Sequence, residues 1–170
     1  MASDSPAMDS GPRHEHVALL AGTNASGLPV HEQVPAARLG DGLYRVAGTP
    51  ALVDGCAAGD VVHVQADGSF QVQHHGGNVA IQAFTPEAFT TTDVERLTEV
   101  INSLGGVAEA PAHRRFLVVT VPVRVGFAAI EAAMTGWQAA TPQAEWSFGN
   151  VYGVDGAPLN WWRAAEGSNG

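Results

Sequence analysis

The stretch Phe116-Leu117-Val118-Val119-Thr120-Val121 decides the fold of the second half of this sequence. Its apolar and β-branched residues follow one another without alternation, which is typical of a strand whose two faces are both covered. We therefore predict a central strand here. The neighbouring segments must supply the layers that cover this strand, and each of them has a helical pattern.

One apolar stripe, at positions i, i+3, i+7 and i+10, occurs on both sides of the strand: Val94, Leu97, Ile101 and Leu104, then Phe127, Ile130, Met134 and Trp137. This spacing places the four side chains on one face of a helix. Thr92 and Glu95 fit a capping box at the start of the first helix, and Gly105-Gly106 ends it. The predicted core draws on these segments: Leu97, Ile101, Phe116, Val118, Phe127, Ile130 and Met134.

Three further strands complete this half: Asn78–Phe84, Val107–Ala112 and Glu145–Tyr152. Trp146 and Phe148 share one face of the last strand. The resulting order is strand, helix, strand, strand, helix, strand. That order is typical of a ferredoxin-like βαββαβ unit with two helices on one face of an antiparallel sheet. We therefore predict a ferredoxin-like α+β subdomain over residues 77–153.

A β-rich subdomain is predicted over residues 14–76. Its strands are His16–Leu20, Leu28–Arg38, Leu43–Val46, Asp60–Gln65 and Phe70–His74. Pro29 and Pro35 interrupt the second strand, which favours an edge position because proline cannot donate to a ladder.

The last two of these strands flank Asp67-Gly68, a pair that fits the two-residue type I′ turn of a β-hairpin. In that register Val62 and Val64 lie on one face of the hairpin. The opposite face carries Val61, His63, Phe70, Val72 and His74. Apolar residues on both faces indicate a curved sheet or small barrel. The predicted fold class is therefore α+β, with a barrel-like N-terminal half and a ferredoxin-like C-terminal half.

The two ends of the chain differ from the rest. Residues 1–13 are rich in Ser, Asp, Pro and Gly and are predicted to be a disordered lead-in. Residues 154–170 are predicted to be an irregular tail that contains Trp161 and Trp162. The sequence has neither an apolar leader nor a run of ~20 apolar residues that could span a bilayer. We therefore expect a cytoplasmic protein.

The composition limits the kinds of molecule that we expect this protein to bind. The chain has 17 acidic and 8 basic residues, a net charge of -9, and all of its basic residues are arginines. An acidic surface repels phosphate backbones, which argues against nucleic-acid binding. Cys56 is the single cysteine, so an intramolecular disulfide is impossible.

Two short phrases carry a resemblance to a known family. Gly42-Leu43-Tyr44-Arg45-Val46 is followed by a proline-containing segment and then by Gly59-Asp60-Val61-Val62. From Val34 to about Tyr152, roughly two-thirds of the chain, the sequence resembles the bacterial family called domain of unknown function 4265. The turn His75-Gly76-Gly77-Asn78 stands where that family often carries Gly-His/Asn-Ser-Thr. The resemblance implies no substrate.

His63, His74 and His75 are the candidate catalytic residues. In the predicted hairpin His63 and His74 are diagonal neighbours, roughly 7–8 Å apart at the backbone, a range at which two imidazoles can share a metal. Glu32, His31 or His113 would have to supply a third ligand. Because the sequence has no H-E-x-x-H or paired-Cys motif, we expect neither a metal nor another cofactor, and the histidines are alternatively ordinary strand residues.

Cys56 and the tail tryptophans each have two possible roles. Cys56 could be a nucleophile, but no activating base can be named, so we expect a buried structural residue. Trp161 and Trp162 could contact a ligand or partner, or could pack on the domain itself, because two exposed indoles would leave a large apolar patch. We expect at least one of the two rings to pack against the domain or a second copy of it.

Two functional hypotheses follow. The first is a non-catalytic binding or protein-interaction module with an unknown protein or small-molecule partner, a possible homodimer, and no nucleic-acid or membrane partner. Within this class, the acidic charge would suit an antitoxin-like protein that binds a basic toxin. The alternative is a small metabolite-processing enzyme that uses His63, His74 or His75 in a cleft between the two halves. A pocket with converging polar groups would favour the enzyme, and an exposed apolar patch or open sheet edge would favour the module.

Overall fold

The computed structural model describes residues 14–163; the predicted lead-in 1–13 and residues 164–170 of the predicted tail lie outside the described residues. The described chain is mixed α+β, with two antiparallel sheets and two α-helices. The predicted α+β class is confirmed. Neither helix combines the length and the apolar character needed to cross a membrane, as judged over the described residues.

The first sheet is a five-stranded meander in sequence order: β1 (His14–Thr23), β2 (Pro29–Gly40), β3 (Leu43–Val46), β4 (Val61–Val64) and β5 (Phe70–His74). The described residues form no closed barrel, because β1 and β5 are not paired as strands. A hydrogen bond of 2.9 Å from the Leu20 N–H to the Gly68 carbonyl links β1 to the turn after β4. The small-barrel prediction is therefore wrong, and the sheet stays open.

Strand β2 lies between β1 and β3, so the predicted edge position is also wrong. Its pairing with β3 ends at Ala36, which is opposite Val46. The Pro35 carbonyl points past this end and accepts a hydrogen bond of 2.8 Å from the Ala47 N–H. The ring nitrogen of Pro35 faces the same side, where no ladder donor is required, and an interior strand can therefore contain this proline.

The hairpin between β4 and β5 has a three-residue loop instead of the predicted two-residue turn. The Gly68 N–H donates to the Gln65 carbonyl at 3.0 Å, and the Gln65 N–H donates to the Ser69 carbonyl at 2.8 Å. Gly68 has φ of 88°, as expected of the residue that follows a type I turn in such a loop.

This longer loop shifts the register by one residue and exchanges the faces. Val62 lies opposite Val72, Val64 lies opposite Phe70, and these four side chains pack on the core of the first sheet. His63 lies opposite Gln71 on the other face. The prediction that His63 shares a face with Phe70 and Val72 is wrong, because one extra turn residue inverts every side chain of a strand.

The second sheet and its helices follow in the predicted order: β6 (Asn78–Phe84), α1 (Thr91–Ser103), β7 (Val107–Glu109), β8 (Phe116–Pro122), α2 (Phe127–Ala139) and β9 (Glu145–Phe148). The strand order is β7-β8-β6-β9, so β8 is central as predicted. Strands β7 and β9 are shorter than predicted. The N-cap of α1 is Thr90 with Asp93 as its capping-box partner, so the predicted Thr92–Glu95 box is wrong by two residues.

The two faces of this sheet have different partners. One face packs with the helices in a single hydrophobic core that contains Leu97, Ile101, Ile130, Met134 and Trp137. Within the predicted core, Phe116 and Phe127 are only half-buried, and the other five residues are buried. The opposite face meets the loop between β3 and β4, where the Thr120 hydroxyl hydrogen-bonds the Thr49 hydroxyl. This loop therefore joins the two sheets.

We expect Ile101→Ala and Ile130→Ala each to lower the unfolding free energy by ~2–5 kcal/mol in urea denaturation. Both side chains are 0% exposed in the core between the helices and the sheet, so truncation leaves a cavity. Val107→Ala is the control, because Val107 is 53% exposed and its truncation should cost ~0.5 kcal/mol or less. A loss below ~1 kcal/mol in both isoleucine variants would contradict the helix packing.

Candidate functional site

Asp60 is a buried acidic residue that closes the loop before β4. It is 1% exposed. One carboxylate oxygen accepts from the Ala57 N–H at 3.0 Å, and the other accepts from the Gly76 N–H at 2.8 Å. A side chain at position 76 would clash, because a Cβ there would lie 2.5 Å from the carbonyl carbon of Gly59. Asp60 thereby fastens the connection between β5 and β6 against the turn before β4.

His75 faces this carboxylate. Its Nδ1 lies 3.8 Å from Oδ2 of Asp60, which is too long for a hydrogen bond. Nδ1 is buried and has no hydrogen-bond partner. Burial lowers the pKa of His75, and the charge of Asp60 opposes this shift. Burial raises the pKa of Asp60, while its hydrogen bonds from Gly76 and Ala57 and the charge of His75 oppose that rise.

Trp161 covers the ring of His75. The two ring centroids are 4.8 Å apart and the planes are inclined by 13°, a stacked arrangement. The indole N–H donates a hydrogen bond of 2.8 Å to the Asn150 carbonyl. Asn150 is itself held by β6, because its side chain accepts from the Ala80 N–H at 2.8 Å and donates to the Asn78 carbonyl at 2.9 Å. The tail therefore closes over the Asp60–His75 pair.

A cluster of half-exposed aromatic rings continues from this cap, and we call it the aromatic surface: Phe127, Trp146, Phe148, Tyr152 and Trp162. Trp162 meets Phe127 edge to face at 4.9 Å, and Phe127 meets Phe148 at 5.8 Å. Phe148 also contacts Trp146 at 5.4 Å and Tyr152 at 6.3 Å. Both tail tryptophans pack against the core of the second sheet, which confirms the predicted packing of the tail on the domain.

The three predicted histidines have different surroundings, although His74 lies opposite Val61, two residues from His63 on β4. His63 Nδ1 lies 3.1 Å from the side-chain amide of Gln65. His74 is exposed and influences Asp60 only through its charge. His75 alone joins a buried polar group. Four surface cavities of about 280 to 460 Å³ have other linings, and these three histidines line none of the four.

The predicted supplementary metal ligands are each occupied elsewhere. His31 Nε2 lies 2.8 Å from the Asp67 carbonyl. The Glu32 carboxylate accepts the backbone N–H groups of residues 51–53. His113 accepts from the Arg115 N–H and packs on Phe116. Within residues 14–163, no three His, Cys, Asp or Glu side chains are grouped so that they could hold a metal ion.

Cys56 is fully buried at 0% exposure, as predicted. Burial raises the pKa of its thiol, and the nearby carboxylates of Asp60, Glu32 and Asp54 raise it further. A thiol in this state carries little thiolate, which is the nucleophilic form. The burial of Cys56 is confirmed, and its protonated thiol agrees with the structural role that we expect of it.

Of the residues in this candidate site, the sequence predicts a role for His75 and Trp161 but not for Asp60 and Asn150. The sequence indicates Asp60 only as the first residue of a predicted strand and as part of Gly59-Asp60-Val61-Val62, and the predicted last strand includes Asn150, although β9 ends two residues earlier, at Phe148. The available signal was a single acidic residue between a glycine and two valines. An acidic residue there must find backbone donors if it is buried.

The fold and this site define a small α+β protein in which a buried aspartate faces a half-buried histidine beneath the ring of Trp161. Residues 32–146 match the family described as Domain of unknown function (DUF4265). The match spans more than half of the chain, so the chain belongs to this family, as the resemblance predicted. No curated protein matches the chain significantly.

A solved structure shares the fold. It is titled "Novel crystal structure of a hypothetical protein from Neisseria gonorrhoeae", and the two chains superpose with a TM-score of 0.61 at 14% sequence identity. The similarity covers 79% of this chain and 93% of that chain. At this identity the likeness concerns the fold alone.

The unfolding free energy should depend on pH through His75, which faces Asp60 and His74. Since burial lowers its pKa below the ordinary 6.5, the unfolded imidazole takes up a proton that the folded one resists. The contribution of His75 is therefore complete above that value and is lost as the pH falls below it. The difference in unfolding free energy between wild type and His75→Gln should decrease from about pH 8 to about pH 5.5.

The matched control for this measurement is His74→Gln, which alters the adjacent exposed histidine. Asp60 is present in every variant, and its raised pKa gives a contribution of opposite sense at lower pH. A wild-type-minus-His75→Gln difference that stays constant with pH would contradict the burial of a neutral imidazole.

Truncation after Gly156 should lower the melting temperature. The half-buried indoles each bury roughly 100 Å² of apolar surface, worth about 2–3 kcal/mol per ring. Truncation after Arg163 is the control, because it keeps both tryptophans. Equal melting temperatures for the two truncated proteins, measured by circular dichroism, would show that the tail contributes nothing to stability.

Proposed function

We propose that this protein is a non-catalytic protein-interaction module that binds a basic, arginine-rich segment on its aromatic surface. The observation that carries the proposal is the cluster of half-exposed rings, joined edge to face, on a chain with a net charge of -9. Arginine side chains stack on aromatic faces and are attracted by their π-electrons. The combination of rings and negative charge therefore favours a cationic partner.

The surroundings of the rings support the same proposal. Tyr152 is 48% exposed, and the small tail hairpin beside it presents Leu159 at 44% exposure and Val154 fully to solvent. Exposed apolar residues grouped in this way mark protein–protein contact sites. Glu145 and Asp155 are exposed acidic residues in the same two segments as Trp146 and Tyr152.

The excess of acidic residues acts over a longer range. A net negative charge steers cationic segments toward the protein and speeds encounter, and the effect weakens as salt is added. It disfavours nucleic acid and anionic membrane surfaces as partners. A location in the cytoplasm, a homodimer and the absence of a bound cofactor belong to the same proposal and have their own tests in fractionation, light scattering and elemental analysis.

The proposal also includes the finer architecture. The antiparallel order β7-β8-β6-β9, with both helices in one core, supports a ferredoxin-like subdomain over residues 77–153. The first sheet would then be a separate β-rich subdomain over residues 14–76 that acts as its platform, with residues from 154 onward as the tail.

A second candidate function rests on the Asp60–His75 pair. A histidine beside a buried carboxylate is the arrangement of a general base, and catalytic hydrogen bonds are often long before substrate binds. The unpartnered Nδ1 of His75 and its 3.8 Å distance from Asp60 favour this candidate. His63 and His74 have no comparable partner, so a metabolite-processing enzyme would depend on His75. Trp161 covers the ring of His75 in the structure. Because this cover keeps a substrate from the imidazole, it supports the interaction module instead.

The test is the binding of a short arginine-rich peptide, measured by titration calorimetry, with a glutamate-rich peptide of equal length as the reference. Trp162→Ala and Tyr152→Ala should each weaken binding by about tenfold or more, as expected of aromatic hot spots. Leu28→Ala is the matched control, since Leu28 is 60% exposed in the turn between β1 and β2. Its affinity should equal that of wild type.

Two outcomes would overturn the proposed function. One is equal affinity of the wild-type protein for both peptides. The other is an arginine-rich peptide whose affinity is unchanged when Trp162 and Tyr152 are replaced together. Substrate turnover that is abolished by His75→Gln and retained in Trp162→Ala would establish the enzyme instead.

A further inference from the structure

We propose that the surface beneath Trp161 is a recognition site for an indole ring with a free N–H group. In the structure the chain's own Trp161 occupies this site. The site adjoins the aromatic surface but does not rest on the proposed binding of a basic partner. Its two recognition elements are the ring of His75 and the backbone carbonyl of Asn150.

The ring of His75 provides a flat stacking partner. A centroid separation of 4.8 Å with planes only 13° apart is the offset-stacked geometry that aromatic pairs prefer. The backbone position of His75 is fixed by the next residue, Gly76, which donates its N–H to the buried Asp60. The platform is therefore formed by the body of the protein and not by the tail.

The backbone carbonyl of Asn150 recognises the ring N–H by accepting its hydrogen bond. It accepts the Trp161 N–H at 2.8 Å. Asn150 is 0% exposed, and its side chain is bonded to the backbone of β6 at both Ala80 and Asn78. The acceptor therefore cannot turn toward another donor. A ring of the same shape without an N–H would leave this carbonyl unpaired, which is unfavourable.

The ring that fills the site belongs to a weakly attached segment. Residues 154–160 are all exposed, and the hairpin within the tail is closed by its own hydrogen bond from the Gly153 N–H to the Ala157 carbonyl. In the described part of the chain, backbone hydrogen bonding ties the segment to the domain through the Leu159 N–H and the Val151 carbonyl. Because the backbone has few such ties, the cost of opening the segment comes mainly from the burial of its two indole rings and is lower than that of unfolding the domain. The site can thus be vacated while both sheets stay folded.

Indole rings reach such a site from two sources. One is a free indole compound or tryptophan derivative, and the other is a tryptophan within a peptide, including the tail of a second copy of this chain. Both present the same flat ring and the same N–H group. The experiment separates them by offering each source to a chain from which the internal ring has been removed.

The test uses the full chain with Trp161→Gly, followed by thermal melting and by NMR of the His75 imidazole. Added indole should raise the melting temperature and shift the His75 signals in a saturable way, as a small ligand fills an apolar cavity of its own shape. Benzofuran, which has the same shape and no N–H, should bind about tenfold more weakly. Leu28→Ala is the control, because Leu28 is 60% exposed in the turn between β1 and β2 and its replacement keeps both tail tryptophans; its His75 signals should not move.

The two sources are distinguished with N-acetyltryptophanamide and with a peptide of the chain's own residues 156–162. Peptide binding at least tenfold tighter than that of the amide identifies a tail or partner tryptophan as the occupant, and equal affinity identifies a free indole compound. Either result supports the site. Light scattering of wild-type protein mixed with Trp161→Gly then shows whether the tail of one copy occupies the other.

The proposal fails if folded Trp161→Gly shows no shift of the His75 signals with indole, or if benzofuran binds as tightly as indole. Should Trp161→Gly not fold, Trp161→Phe keeps a ring without the N–H. Indole should then displace the phenyl ring and shift the His75 signals at concentrations that leave wild type unchanged. Identical responses of the two proteins would refute recognition by Asn150.

Discussion

The buried carboxylate of Asp60 is the interaction on which the arrangement around the tail depends. A carboxylate out of water is costly unless its oxygens accept hydrogen bonds. Here the N–H groups of Ala57 and Gly76 meet that need, and they come from opposite sides of the site. Satisfying one side chain therefore brings the turn before β4 against the connection between β5 and β6. His75 is the first residue of that connection, directly before Gly76, so its ring position is set by the same constraint.

Directional polar contacts also fix how the two sheets meet. The loop between β3 and β4 bonds the second sheet through the Thr49 and Thr120 hydroxyls, and its Gly55 N–H donates to the Gly149 carbonyl at 2.8 Å. The Asn78 side chain returns a bond of 2.8 Å to the Ala58 carbonyl. Apolar surfaces tolerate sliding, whereas unpaired buried polar groups do not. These hydrogen bonds between the β3–β4 loop and the second sheet therefore fix the geometry of the site, because the site contains residues from both sides of that contact.

The sequence predicted those features that depend on local periodicity, and it missed those that depend on turn geometry or distant partners. The strand around Val118 and the helical stripes through Ile101 and Ile130 were right because burial imposes a period that can be read along the chain. The β4–β5 register was wrong because Asp67-Gly68 fits both a two-residue and a three-residue loop. Asp60 was missed as a site residue because its donors and its histidine are identified only when the chain is folded.

Trp161 and Trp162 link the covered histidine to the aromatic surface. Their rings meet edge to face at 5.5 Å, so one segment carries both contacts. A ligand that holds Trp162 against Phe127 favours the docked tail and keeps His75 covered, whereas an indole in place of Trp161 favours the open tail. Each ligand can shift this equilibrium only by the difference between its affinities for the two states. If both proposed ligands bind in this way, occupation of the two surfaces is antagonistic to the same degree in both directions, because such coupling is reciprocal.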